Sequence, residues 1–184
     1  MKKLRDLIAL LAVAAAFTFS LAQFRRVFGL ASPWFGLMAM FCLLGLAAFA
    51  RPLFFLKLPG FLRKEHEWEA DGRLYKTLRV RVFGELLRRT PLRYLNPLVY
   101  LKRHPDPSIV QAQIESAEAA HLLSAALGLP YMAYACIQGW WSALAWLVVV
   151  QAGLNLYPIL HLRWARARIN RLRDRIPSSR KDAA

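Results

Sequence analysis

Gln113-Ile114-Glu115-Ser116-Ala117-Glu118-Ala119-Ala120-His121 is the stretch on which the reading of this chain turns. Asp106-Pro107 precedes it, an N-cap residue followed by a proline suited to the first helical position. From Ser108 no proline or glycine occurs before Gly128, so one helix is expected across the stretch. Glu115, Glu118 and His121 recur every three residues and share one side of that helix. Beyond His121 the chain is almost wholly apolar to Ile137. A polar helix thus becomes a membrane helix, with two carboxylates and an imidazole at the changeover. Ionisable groups at such a place are costly and mark function by default. The plainer alternative is a carboxylate–imidazole pair that marks the interface or joins two helices.

Composition supports the membrane setting. The 184 residues make one domain's worth of chain, and 57% are hydrophobic, against about 45–50% in soluble domains. These residues come in blocks, and the mean hydropathy is positive. The net charge is +15, with Lys and Arg crowded into residues 51–103 and the tail. Such a surface suits anionic headgroups or phosphate-bearing substrates such as coenzyme A. Nucleic acid is disfavoured as a partner because the charge is interleaved with lipid-like blocks. Cys42 and Cys136 lie in apolar runs, which reads as packing rather than a disulfide or metal pair.

Four spans are expected, at about 7–24, 33–50, 119–137 and 141–162. Residues 1–22 also read as a signal peptide, with a basic start and small residues at Ser20 and Ala22. The second apolar block after a short turn favours a retained helix. Pro33-Trp34 and Trp140-Trp141 suit interfacial starts. Gly128-Leu129-Pro130 should kink the third span, and Gln151, Asn155 and Pro158 interrupt the fourth.

The middle segment, 51–118, reads as interfacial. Pro52–Leu62 is too short and broken to span. Leu74, Leu78, Val82 and Leu86 recur every fourth residue among Lys76, Arg79 and Arg81, which describes a basic amphipathic helix on a membrane surface. Leu78–Phe83 also alternates well enough for a strand. The tail, 163–184, is basic and begins helical. The expected fold is an all-α integral membrane protein of two helical hairpins with interfacial amphipathic helices between them, in a single domain. Positive-inside bias places both termini and the middle segment in the cytoplasm, at the cell membrane; Arg25 and Arg26 oppose this mildly.

Several motifs fall in order along the chain. They are Glu69-x-x-Gly72-x-x-Tyr75, Val80-Arg81, Ala117-Glu118-x-x-His121, and Asn155 followed by Arg163-Trp164-x-Arg166-x-Arg168. Together they resemble the glycosyl-diaponeurosporenoate acyltransferase family of bacterial integral membrane proteins, over roughly Glu69–Leu172. Gln113, Leu122, Ala165 and Ala167 depart from the family's pattern. The resemblance implies transfer of a fatty acyl group to a sugar hydroxyl of a glycosylated carotenoid or similar glycolipid. It implies an acyl donor and a glycosylated isoprenoid acceptor within membrane lipid. Glu69, Tyr75 and Arg81 become candidates for substrate binding.

Acyl transfer to a hydroxyl needs a base for the proton and donors for the oxyanion. His121 is the natural base, and Glu118, one turn back, would orient it as a carboxylate does in a triad. Asn155 would offer an N–H to the oxyanion if the third and fourth spans pack; its other reading is a hydrogen bond to Gln151 between or along helices. No evident serine or cysteine nucleophile sits nearby, so direct attack by the sugar is simpler than an acyl-enzyme. Arg163, Arg166 and Arg168 would hold phosphates of acyl-CoA or an acyl carrier as co-substrate, or else simply anchor the tail. No resident cofactor is expected.

Three other readings remain. His66-x-x-x-x-Asp71 matches the dyad of glycerolipid acyltransferases, without that family's downstream Pro-Glu-Gly block. Glu118-x-x-His121 matches half a di-iron site, but no second such motif exists, so no metal is expected. A non-catalytic membrane scaffold or lipid-binding subunit is the alternative outside enzymes. His104 and His161 are isolated in sequence.

Overall fold

The computed structural model describes residues 2–54, 58–63, 72–95 and 107–175, and contains no strand among them. Helix α1 runs Lys2–Phe28, α2 Pro33–Phe54, α3 Gly60–Arg63, α4 Arg73–Thr77 and α5 Val80–Arg89, followed by a 3-10 turn at Pro91–Leu95. Helix α6 covers Pro107–Ile137 and α7 Trp141–Gln151. A π-helical segment, Ala152–Leu156, leads directly into α8, Tyr157–Arg175. Among the described residues, four stretches are long and apolar enough to cross a bilayer: Lys3–Phe28, Pro33–Arg51, Ser108–Ile137 and Trp141–Arg171. The all-α membrane architecture read from the hydropathy blocks is therefore present. The helices outrun those blocks, because a helix continues through polar residues wherever nothing breaks it. Arg25 and Arg26, for example, occupy the last turn of α1, where cations suit the helix dipole.

Contacts divide the chain into two compact units, Met1–Lys57 with Ser116–Ile159, and Leu58–Glu115 with Leu160–Ala184. In the first unit α1 packs on α2, and α2 on α7. Met40, Ala135, Leu147 and Val150 form its core. Lipid tails are as apolar as leucine, so helices associate in a bilayer through close packing rather than hydrophobic transfer. That is why alanines fill so many of the buried positions: Ala39, Ala47, Ala135 and Ala143. Leu4, Ile8, Leu11 and Phe19 of α1 are exposed, as a lipid-facing surface requires. The Tyr131 hydroxyl donates to the Leu30 carbonyl at 2.6 Å, and Phe35 meets the same ring edge-on at 5.6 Å. This ties the C-terminal part of α6 to the turn between α1 and α2. The turn after α6 falls at Gln138 and Gly139, as read from the sequence, and Trp140 packs edge-on against Tyr134 at 5.3 Å. Cys42 is buried and Cys136 exposed, neither in a disulfide; the reading of Cys136 as a packed residue is corrected to an exposed position.

In the second unit Tyr75, Val80 and Leu160 form the core, with Leu74, Leu78 and Trp164 against it. The single amphipathic helix expected over Leu74–Leu86 is corrected to two, α4 and α5. Arg79 between them takes a left-handed conformation, φ 50°, which resets the helical register. The apolar stripe breaks there: Leu74 and Leu78 pack inward, while Val82 and Leu86 are 59% and 57% exposed. Val80 and Gly84 are the residues that α5 buries. The strand alternative for Leu78–Phe83 is excluded, since α5 runs through it.

Candidate active site

Helix α6 carries Glu118, His121 and Ser124 at three-residue spacing, stacked along one face. Glu118 and Ser124 are fully buried. Across from them, in the same unit, stands Asn155 on the π-helical segment, 1% exposed. The His121 imidazole comes within hydrogen-bonding reach of the Asn155 side chain and of the Leu154 backbone. Neither its buried Nδ1 nor the Asn155 Oδ1 has an aligned partner, as is common for catalytic groups without substrate. Asn155 donates through Nδ2 to Gln151 Oε1, and Gln151 Nε2 donates to the Ala125 carbonyl at 3.0 Å. The two amides thus fasten the π segment to α6 at Ala125 and face it at His121.

Two local features permit this. Gly128 lets the helices approach: a Cβ there would lie 2.6 Å from Gln151 Nε2 and 2.9 Å from Met40 Sδ. Its role is clearance for Gln151, within an α6 that continues helical through Pro130. Pro158 is the second. It has no N–H for the carbonyl four residues back, and in an α-helix its ring would clash with that carbonyl. The residue four back is Leu154. The wider π register, with the Tyr157 N–H bonded to the Ala152 carbonyl, relieves that crowding. With Pro158 at that position the Leu154 carbonyl has no α-helical donor four residues on, and the His121 imidazole comes within reach of it. Single π turns of this kind occur frequently at functional sites.

Two groups beside His121 were not singled out from the sequence. Arg51, which closes the charge-free 33–50 block, lies near enough for its charge to act on the imidazole. Its position as the cation ending that block was the available signal. Ser124, one turn beyond His121, is buried with no hydrogen-bond partner for Oγ. The same three-residue spacing that links Glu118 and His121 places Ser124 on their face of α6.

The remaining candidates lie in the second unit or outside the described residues. Arg166 is buried; its Nη1 and Nη2 donate to the carbonyls of Arg63 and Leu62, each at 3.0 Å. Those are the last carbonyls of α3, so the guanidinium caps that helix. Glu115 accepts from Gln111 at 3.2 Å and pairs with Arg63 Nε at 3.4 Å. Tyr75 is a core residue, Arg163 is half-buried, and Arg81 and Arg168 are exposed. Arg81 and Arg168 line one small cavity together with Arg88 and His161. Glu69, and the His66 and Asp71 of the alternative dyad, lie outside the described residues.

Comparison with known proteins adds the chemistry. Residues 59–175 match the family model described as glycosyl-4,4'-diaponeurosporenoate acyltransferase. Comparison with curated proteins and with solved structures gave no match. The matched stretch contains α6, the π segment and the arginine-rich helix that follows, and it covers more than half of the chain. The chain therefore belongs to the glycosyl-4,4'-diaponeurosporenoate acyltransferase family and is a membrane-embedded acyltransferase.

Proposed function

We propose that this protein moves a fatty acyl group from a thioester donor, acyl-CoA or an acyl carrier, to a sugar hydroxyl of a glycosylated carotenoid. His121 acts as general base. The observation that carries the reading is the imidazole seated against the Leu154 carbonyl and Asn155, inside a segment apolar enough to span the bilayer. A ring N–H donated to that carbonyl would leave the other nitrogen as an acceptor, the tautomer a base requires.

The sugar oxygen attacks the thioester carbonyl carbon while His121 takes the hydroxyl proton. The tetrahedral intermediate then expels the thiolate, which takes that proton back from the imidazolium. One Nδ2 hydrogen of Asn155 serves Gln151, so the second is the one available to an oxyanion. Arg51 adds positive charge beside the developing negative charge. Glu118 helps to hold the imidazole from one turn below. The termini and the middle segment lie in the cytoplasm, where soluble acyl donors are found.

The test is acyl transfer by purified protein with labelled acyl-CoA and a glycosylated carotenoid acceptor. His121→Ala should lose about 10²–10⁴-fold, the usual contribution of general base catalysis. His66→Ala should retain activity. Full activity in a folded His121→Ala would remove the mechanism; loss in His66→Ala alone would favour the glycerolipid-type dyad. A scaffold would show no transfer by the wild type.

A further inference from the structure

Helix α5 and helix α8 enclose a cavity of about 60 Å³, lined by Arg81, Gly84, Glu85, Arg88, His161, Trp164 and Arg168. The lining comes from two segments some eighty residues apart, so it is built by the fold of the second unit. His161 is buried at its base, 3% exposed. The ring packs so closely on α5 that a Cβ at position 84 would sit 2.3 Å from Cε1. Phe83 and Trp164 flank the imidazole, at centroid distances of 6.2 Å and 6.0 Å. Arg88 stands near enough for its charge to be felt at the ring.

Three guanidiniums around one cavity, with a single carboxylate, repel one another. Among the described residues, Arg81, Arg88 and Arg168 form no salt bridge. An anion would relieve that repulsion. One water needs about 10–15 Å³ on this measure, so the cavity has room for a tetrahedral oxyanion. Guanidiniums are the preferred partners of phosphate, since their forked N–H groups match its oxygens. We propose that this cavity is a phosphate-binding site, with Arg81, Arg88 and Arg168 as the ligating cations and His161 as its floor. Two motif arginines, Arg81 and Arg168, thereby acquire one shared role, while Arg166 serves α3 instead. The phosphate can come from the coenzyme A arm of an acyl donor or from a lipid headgroup. The first source rests on the acyl-transfer reading above, and the second does not.

The full-length protein in neutral detergent is titrated calorimetrically with coenzyme A and with pantetheine, which carries no phosphate. In parallel, nanodiscs of phosphatidylcholine with and without phosphatidylglycerol are analysed for retained lipid by native mass spectrometry. The expected result is binding of coenzyme A but not pantetheine, or selective retention of phosphatidylglycerol. Arg88→Gln and Arg168→Gln should each weaken whichever phosphate binds by about tenfold or more, the value of a hydrogen bond to a charged group. Arg88→Lys should recover part of the loss, since it keeps the charge. A response in the coenzyme A arm assigns the site to the donor; a response in the lipid arm alone assigns it to a headgroup. Equal binding of pantetheine and coenzyme A with no selective lipid retention overturns the proposal. So does unchanged affinity in both arginine variants. Binding is read without turnover, so a His121→Ala protein that is inactive or active leaves this result standing on its own.

Discussion

Replacing Pro158 separates stability from turnover in a way that few other changes can. Pro→Ala at 158 restores an N–H to the chain and removes the ring that crowds the Leu154 carbonyl. A proline costs a helix interior about 3 kcal/mol relative to alanine. The π segment already absorbs part of that, so the gain in stability should be positive and below ~3 kcal/mol. The restored N–H competes for the Leu154 carbonyl and draws it away from His121. If that contact is worth a typical neutral hydrogen bond of about 0.5–1.5 kcal/mol, turnover should fall about 2- to 12-fold. Thermal unfolding in detergent and acyl transfer per folded molecule measure the two arms. Higher stability with lower turnover is the expected pair. Unchanged turnover in a stabilised Pro158→Ala protein would refute the link between the proline and the base. A destabilised protein would refute the account of the π segment.

Other perturbations test neighbouring parts of the site. Gly128→Ala places a methyl against Gln151 and Met40 and should destabilise by about 1–3 kcal/mol, the usual cost of overpacking, seen as a lowered unfolding midpoint. Ser124→Ala removes a buried hydroxyl without a partner, so stability should stay level or rise and transfer should persist; an acylated Ser124 found by peptide mass would replace direct attack with an acyl-enzyme. Asn155→Leu should lower turnover per folded molecule if the amide serves the oxyanion, whereas an effect on the unfolding midpoint alone would assign it to helix fastening with Gln151. Reporter fusions at Ala184 and within Val80–Arg89 should both read cytoplasm, and an external signal from either would overturn the proposed topology.

The sequence revealed the spans because each is a block of apolar residues ended by charge, glycine or paired tryptophans. It also revealed that Glu118 and His121 share one face of α6, since they keep a helical spacing. Asn155 and Pro158 were legible as interruptions of the last span, but their consequence was not. A π turn depends on which carbonyl the proline crowds, and a partner for that carbonyl comes from another helix. The left-handed turn at Arg79 was equally hidden, because nothing in an arginine side chain announces that backbone conformation. His161 looked isolated for a third reason: Gly84 and Arg88 lie more than seventy residues earlier and meet it only in the fold. Arg166 shows the converse. Its motif suggested a ligand, yet it satisfies carbonyls at the end of α3.

The choice of anchor for His121 follows from its surroundings. A catalytic imidazole in a soluble hydrolase is commonly held by a buried, hydrogen-bonded carboxylate. Within a membrane span a second charge is expensive, and breaking such a pair leaves an uncompensated ion. A peptide carbonyl fixes the same tautomer with no net charge. Peptide carbonyls in a helix are normally engaged, and a proline four residues downstream removes the α-helical donor of one of them. This gives Pro158 a chemical reason for its place in the span. It also ranks the two supports of His121. Glu118 lies one turn below on the same helix and gives the lesser support, so Glu118→Gln should cost less turnover than Pro158→Ala. The reverse order would return the carboxylate to the role proposed here for Leu154.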